Sequence, residues 1–254
     1  RHPELASPDV DRAGAALLRA VADGAHVVTS SEATTTEVRR LIDTDLVTTL
    51  HIGQPPPNGD APEPTPQHDT IDGHPFVLAL GTSERLKNFP VVVAAFASLA
   101  EELGGAQLVV AGGPGDDEDR VAAAFEALAD WVRSRVHRLG RVDERERAWL
   151  LTRASVLAYP SLDEGFGFPV LEAQQVGTPV VAGTAGSVPE VAGPGALYGA
   201  PDDVLALAAN LHSTMTNDER AAALVERGRA NLTRFSWRAT ADAYIDLYER
   251  VAAT

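Results

Sequence analysis

From residue 76 onward, short and almost wholly apolar runs alternate with longer stretches of mixed polarity. Residues 76–80 read as a strand and 89–103 as a helix; 106–111 read as a strand entering the turn Gly112-Gly113-Pro114-Gly115. A helix over 117–135, a strand over 136–139 and a helix over 144–153 follow. Next come a strand over 155–159, a helix over 168–176, a strand over 179–182, a short turn near Val188 and a last strand over 196–198. Residues 202–253 read as helical, with breaks near Thr216 and Phe235. Continuous apolar runs between helices predict an α/β fold with a doubly wound parallel sheet, Rossmann-like in kind. Ligands of such sheets bind outside the carboxyl ends of the strands, so the loops after strands are where chemistry is expected.

The first fifty residues repeat the alternation on a smaller scale. The pattern predicts a helix over 11–22, a strand over 25–29, a helix from Ser30-Ser31-Glu32 to about Ile42, and a strand over 47–52. That is too little for an independent sheet domain, so residues 1–52 are expected to be part of a further Rossmann domain. Residues 53–74, with Pro55, Pro56, Pro57, Pro62, Pro64 and Pro66, read as an interdomain linker. Residues 75–234 are then the main domain, and 235–254 a C-terminal helix expected to cross back to the first.

Composition narrows the function classes. The net charge of -15 argues against nucleic acid and anionic lipid as general partners. No apolar run approaches the roughly 20 residues of a membrane span. Cysteine is absent, which removes disulfides, thiolate metal sites and cysteine nucleophiles and fits a cytoplasmic protein. Lys87 is the only lysine in the chain, so its position carries information.

Two loops after strands hold candidate chemistry. In Gly81-Thr82-Ser83-Glu84-Arg85-Leu86-Lys87-Asn88, Arg85 and Lys87 stand just before a helix start, an arrangement suited to phosphate; the plainer reading is a solvated basic turn. In Pro160-Ser161-Leu162-Asp163-Glu164-Gly165-Phe166-Gly167-Phe168-Pro169-Val170-Leu171-Glu172, the glycines let backbone N–H groups approach a ligand, while Glu164 and Glu172 add two carboxylates. Such a set suits a ligand with phosphate and many hydroxyls. Glu172 alone also reads as an acid favoured by a helix N-terminus.

The Glu-x7-Glu block from Glu164 to Glu172, then Ala173, Gly177-Thr178-Pro179-Val180-Val181 and Gly186-Ser187-Val188-Pro189-Glu190-Val191, resembles the signature of retaining glycosyltransferase family 4 (group 1). Residues 81–88 and Ser30-Ser31-Glu32-Ala33-Thr34 extend the likeness over nearly the whole chain. The resemblance implies the two-Rossmann GT-B fold, with this chain as the donor half plus the tail of the acceptor half, a fragment of a longer protein. It implies that Lys87, helped by Arg85, neutralises the donor diphosphate, with Gly81 in the turn beside it. The N–H groups of Gly165, Phe166 and Gly167 would contact phosphate and sugar. Glu164 would face the donor sugar, Glu172 would hold the ribose, and Gly140-Arg141-Val142 would lie against the base. The expected partners are a nucleotide-sugar donor, which is a substrate and not a cofactor, and an acceptor of unknown kind: glycan, lipid or small molecule. The implied reaction is retaining transfer of a hexose-type sugar; the alternatives are a sugar-nucleotide-binding fragment without activity and a sugar-nucleotide epimerase of related fold. Thr82 stands where many members have arginine, which narrows the subfamily.

Other signals are discounted. Asp9-Val10-Asp11 and Asp43-Thr44-Asp45 mimic a metal motif without supporting groups, and no metal site is expected. His26 reads as a structurally satisfied strand residue, Asn231-Leu232-Thr233 as a chance glycosylation sequon, Gly112 to Gly115 as a plain turn, and Trp237 and Tyr244 as packing residues.

Overall fold

A computed structural model describes residues 8–54 and 70–253, with side chains from residue 14 onward. Most of the proline-rich stretch 53–74, and the side chains of the Asp9/Asp11 pair, lie outside the described residues. The described chain divides into two compact units, residues 8–54 with 234–253 and residues 70–233.

The first unit opens with α1 (Pro8–Ala22), β1 (Val27–Thr29), α2 (Glu32–Ile42) and β2 (Val47–Thr49). β1 and β2 pair in parallel, Val27 opposite Val47. Both strands are shorter than the apolar pattern predicts: Leu50 N–H donates the last rung to Thr29 O, after which the chain leaves the sheet. Hydroxyls join the layers, Thr35 Oγ1 lying 2.5 Å from both Thr29 Oγ1 and Thr49 Oγ1. Ser31 caps α2 by accepting from Thr34 N–H. His26 is partnered as expected, its Nε2 2.8 Å from Thr48 Oγ1.

The second unit carries six strands: β3 (Phe76–Leu80), β4 (Gln107–Ala111), β5 (Val136–Gly140), β6 (Val156–Tyr159), β7 (Val180–Gly183) and β8 (Ala196–Gly199). Between them run α3 (Phe89–Leu99), α4 (Glu118–Glu126), α5 (Asp130–Arg133), α6 (Glu144–Arg153), α7 (Phe168–Val176) and α8 (Val188–Ala192); α9 (Val204–Thr216) and α10 (Asp218–Leu232) follow. The strands are all parallel, in the order β5-β4-β3-β6-β7-β8. The central strands are buried at every position, as continuous apolar runs covered by helices on both faces must be. Side-chain alternation splits the core in two. Val77, Ala79, Leu108 and Val110 pack with α3, α4 and α9; Phe76, Leu78, Leu80 and Val109 pack with Trp149 of α6 and Val170 of α7. The edge strands β5 and β8 are mostly half-exposed or exposed; they are short, and β5 carries His137 and Arg138, which blunt an edge against further pairing.

One expected helix is two. The 117–135 stretch breaks between α4 and α5 because Arg133 Nη2 donates to the carbonyls of Glu126 and Leu128, ending the first helix. The break lets Leu128 and Val132 both be buried. α3 also ends at Leu99, not 103, where turn hydrogen bonds from Leu103 and Gly104 replace the helix. The chain returns to the first unit as α11 (Trp237–Ala252), capped by Ser236. There Thr240 Oγ1 donates to His51 O, and Phe235 meets the His51 ring at 5.8 Å between centroids. Tyr244 is partly buried, but Trp237 is 53% exposed, so its reading as a packing residue is corrected: it sits at the first turn of α11, with only its inner atoms against Gly53.

At the carboxyl edge, β3 and β4 exit side by side. Gly81 N–H donates to Ala111 O, Gly112 N–H to Gly140 O, and Ser83 N–H to Gly113 O. Gly112 has φ 152°, and a Cβ there would stand 1.7 Å from the Gly81 carbonyl oxygen. Gly112→Ala is therefore expected to lower unfolding stability by about 2–4 kcal/mol, read as a drop in the urea midpoint.

Candidate active site

With β3 as the first strand of the second unit, the order β5-β4-β3-β6-β7-β8 reverses its winding between β3 and β6. At such a switch point the loops on either side diverge and leave a crevice. The two loops singled out from the sequence are those leaving β3 and β6. They are tied together: Leu162 N–H donates to Leu86 O at 2.8 Å. Asn88, buried and at the left-handed φ of 55°, donates from Nδ2 to Pro201 O at 2.6 Å and to Pro160 O at 3.4 Å. One amide thus joins the exits of β3, β6 and β8. Asparagine tolerates this backbone conformation better than most residues with a side chain.

Glu84, Leu86, Lys87, Asp163, Glu164 and Gly165 line an open cleft between these loops. Arg85 and Lys87 lie in a single 3₁₀ turn that leads into α3. Lys87 points inward, and its ammonium lies 2.5 Å from Glu164 Oε1 and 3.3 Å from Tyr159 Oη. Tyr159, the last residue of β6, donates its own hydroxyl to the same Glu164 oxygen at 2.7 Å. The ammonium also sits 5.4 Å from the centre of the Tyr159 ring. Burial, then the neighbouring Glu164 carboxylate, push the Tyr159 phenol far above its ordinary value, so it stays a neutral O–H donor. Arg85 is exposed and does not line the cleft; its N–H donates to Asp116.

The glycines divide by cause. Gly167 caps α7 with φ 102°, a conformation the helix start requires. Gly165 has an ordinary backbone, is exposed at the cleft, and a Cβ on it would meet nothing within 4 Å. The fold itself therefore does not demand glycine at 165. Phe166 is buried and packs edge-on to Phe168, so its ring belongs to the core and not to the cleft.

Glu172 lies on α7 and is nearly buried, paired with Arg147 of α6. Burial raises its pKa, and the Arg147 guanidinium pulls it back. Val142 packs partly buried against the core, and Arg141 is exposed with its guanidinium beside Gly113. The structure therefore gathers Lys87, Glu164 and Gly165 in one cleft, sets Gly81 against the Lys87 side chain, and holds Glu172 in the second turn of α7.

Three positioning residues were not given roles from the sequence: Tyr159, Arg147 and Ser187. Ser187 is fully buried; its Oγ donates to the carbonyls of Glu164 and Phe166, and its N–H to Glu164 O. The preceding Gly186, at φ 58°, lies so close that a Cβ would stand 2.5 Å from Glu164 N. The only signal was that the Gly186 to Val191 block read as part of the family pattern. Asn231 of the sequon is buried and donates to Gln174 and to Val191 O, so it is a core residue.

An open α/β sheet with a charged cleft at its switch point defines a class that places small ligands at strand ends. The chain belongs to the family described as Glycosyl transferases group 1, which matches residues 61–231. It is 32% identical over 177 residues to O-antigen chain mannosyltransferase B of Escherichia coli, covering 68% of this chain and 45% of the relative. It is 37% identical over 179 residues to D-inositol 3-phosphate glycosyltransferase of Xylanimonas cellulosilytica, covering 68% of this chain and 42% of the relative. Among solved structures it is similar to sucrose-phosphate synthase of Thermosynechococcus elongatus, with TM-score 0.74 and 25% identity over 89% of this chain and 58% of the other. The chain thus spans about half the length of the relatives it matches. Among the described residues, no helix is long and apolar enough to cross a membrane.

Two outcomes follow from this geometry. Ser187→Ala removes the hydroxyl donor to the buried Phe166 carbonyl, while the Glu164 carbonyl keeps the backbone N–H of residue 187, and is expected to cost about 1–3 kcal/mol in denaturant unfolding. Arg147→Met removes the cation that opposes the burial of Glu172 and so raises its folded-state pKa further. A raised carboxyl favours the folded state only while it is protonated. The stability deficit of the variant should therefore be small near pH 4 and grow toward about pH 7, read by urea titration across that range.

Proposed function

We propose that this chain is the donor-binding part of a retaining glycosyltransferase, which moves a hexose-type sugar from a nucleoside-diphosphate sugar to an acceptor hydroxyl. The observation that carries this reading is the meeting of the only lysine with Glu164 and the exposed Gly165 in a cleft at the switch point. The Lys87 ammonium and the backbone N–H groups around Gly165, Phe166 and Gly167, at the entry to α7, supply positive charge for a diphosphate. The carboxylates of Glu84, Asp163 and Glu164 supply acceptors for sugar hydroxyls. Gly165 leaves open space beside its α-carbon at the cleft, where the fold has no steric need of a glycine.

In this reading the bond between the anomeric carbon and the diphosphate oxygen breaks, and charge grows on the leaving diphosphate. Lys87 stabilises that charge, a role that needs no resident cofactor. The acceptor oxygen bonds to the anomeric carbon from the same face, and its proton passes to the departing phosphate oxygen. Glu164 faces the sugar. Glu172 accepts from the ribose hydroxyls while keeping Arg147, since a carboxylate has about four lone-pair sites. The Gly140-Arg141-Val142 segment lies toward the base. Arg85, exposed at the rim, assists only if it swings inward on binding.

The test is titration calorimetry of the chain with UDP, GDP, ADP and TDP. One of the four should bind, and Lys87→Ala should weaken it by about tenfold or more, the value of one charged hydrogen bond. No binding by any of the four, or unchanged affinity in the variant, rejects the reading.

A further inference from the structure

Tyr159 is a strand residue whose burial alone would account for an aromatic ring, yet its hydroxyl is spent on the site. Tyr159 Oη donates to Glu164 Oε1 at 2.7 Å and accepts from Lys87 Nζ at 3.3 Å, while Lys87 Nζ lies 2.5 Å from the same Glu164 oxygen. We propose that Tyr159 is a positioning residue that keeps the Glu164 carboxylate facing the donor sugar when Lys87 turns toward the diphosphate. This rests on the reading of the cleft as a sugar-nucleotide site.

Lys87 has two anions to serve, the Glu164 carboxylate and the diphosphate. With the cleft empty, Lys87 and Glu164 neutralise each other, and among the described residues the ammonium is one of two side-chain donors to that carboxylate. A diphosphate carries more negative charge than one carboxylate and draws the ammonium toward itself. An ammonium has three N–H donors, so it can shift without leaving the cluster, but its hold on Glu164 slackens. The backbone of Glu164 is pinned by Ser187, which fixes the Cα and not the carboxylate. Among the described residues, the remaining hydrogen-bond restraint on that carboxylate is the Tyr159 hydroxyl. Tyr159 sits on a central strand and is itself immobile, 3% exposed in the core beside α7. It stays protonated through any working pH, so it remains a donor throughout. A bare nucleoside diphosphate makes no use of Glu164, whereas a sugar conjugate does. Tyr159 should therefore act on the increment in affinity that the sugar adds, and hardly on the diphosphate.

The experiment compares Tyr159→Phe with the unaltered chain by calorimetry, using the diphosphate that binds among UDP, GDP, ADP and TDP and its hexose conjugates. The expected result is diphosphate affinity within about twofold and loss of at least about fivefold from the hexose increment. Glu164→Gln should lose the same increment, and the double variant no more than either single change, as residues acting through one group do. Replacing Tyr159 by 3-fluorotyrosine, which keeps the O–H, should restore the increment. A merely structural role would weaken the diphosphate and its conjugates alike, or add to the loss from Glu164→Gln, and either result overturns the proposal, as does an intact increment in Tyr159→Phe. If the unaltered chain binds no diphosphate, or binds a hexose conjugate no better, the sugar-nucleotide reading itself falls and takes the role of Tyr159 with it.

Discussion

The ion pair between Lys87 and Glu164 bridges the one place in the sheet where the winding reverses, and the surrounding architecture is arranged so that the two groups can meet there. Each comes from the segment that leaves its strand, Glu164 from a loop and Lys87 from the 3₁₀ turn before α3. Each loop is held by backbone hydrogen bonds, Leu162 to Leu86 across the crevice and Ser187 to Glu164 behind it. Mutual neutralisation makes it tolerable to enclose an ammonium and a carboxylate that are 17% and 14% exposed. Remove either charge and the other is left in a partly desolvated cleft without its counterion.

The same economy recurs on α7. Glu172 is desolvated by its neighbours, and Arg147 from α6 meets it there. The two acidic residues of the Glu-x7-Glu block therefore have different partners and different surroundings although one helix start separates them. One is held by a lysine and a phenol at a loop; the other by a guanidinium against a helix. In a chain of net charge -15, each of these two enclosed carboxylates meets a single cation.

Much of this was legible in the residues. The apolar runs of β3, β6 and β7 were readable because buried central strands cannot alternate with polar positions, and the loops after β3 and β6 stood out because glycine and charge follow those runs directly. The split between α4 and α5 was hidden, because it depends on Arg133 reaching back to carbonyls five and seven residues earlier, which periodicity does not register. The roles of Arg147 and Ser187 were hidden for a related reason: their partners lie on other elements, and only the packing of α6 against α7, and of the Gly186 turn against the β6 loop, brings them together. Tyr159 was masked by its own strand, where an aromatic side chain needs no explanation beyond the core.

Gly165 has a consequence of another kind. Gly112 and Gly186 are locked, since any side chain at either would run into backbone. Gly165 borders the same cleft with open space around its α-carbon. A methyl or hydroxymethyl group could be added there at no steric expense to the folded protein, and its whole bulk would be felt by whatever occupies the cleft. That makes residue 165 a dial for ligand size: a position where selectivity can drift, in evolution or by design, while the scaffold that holds the charges stays as it is.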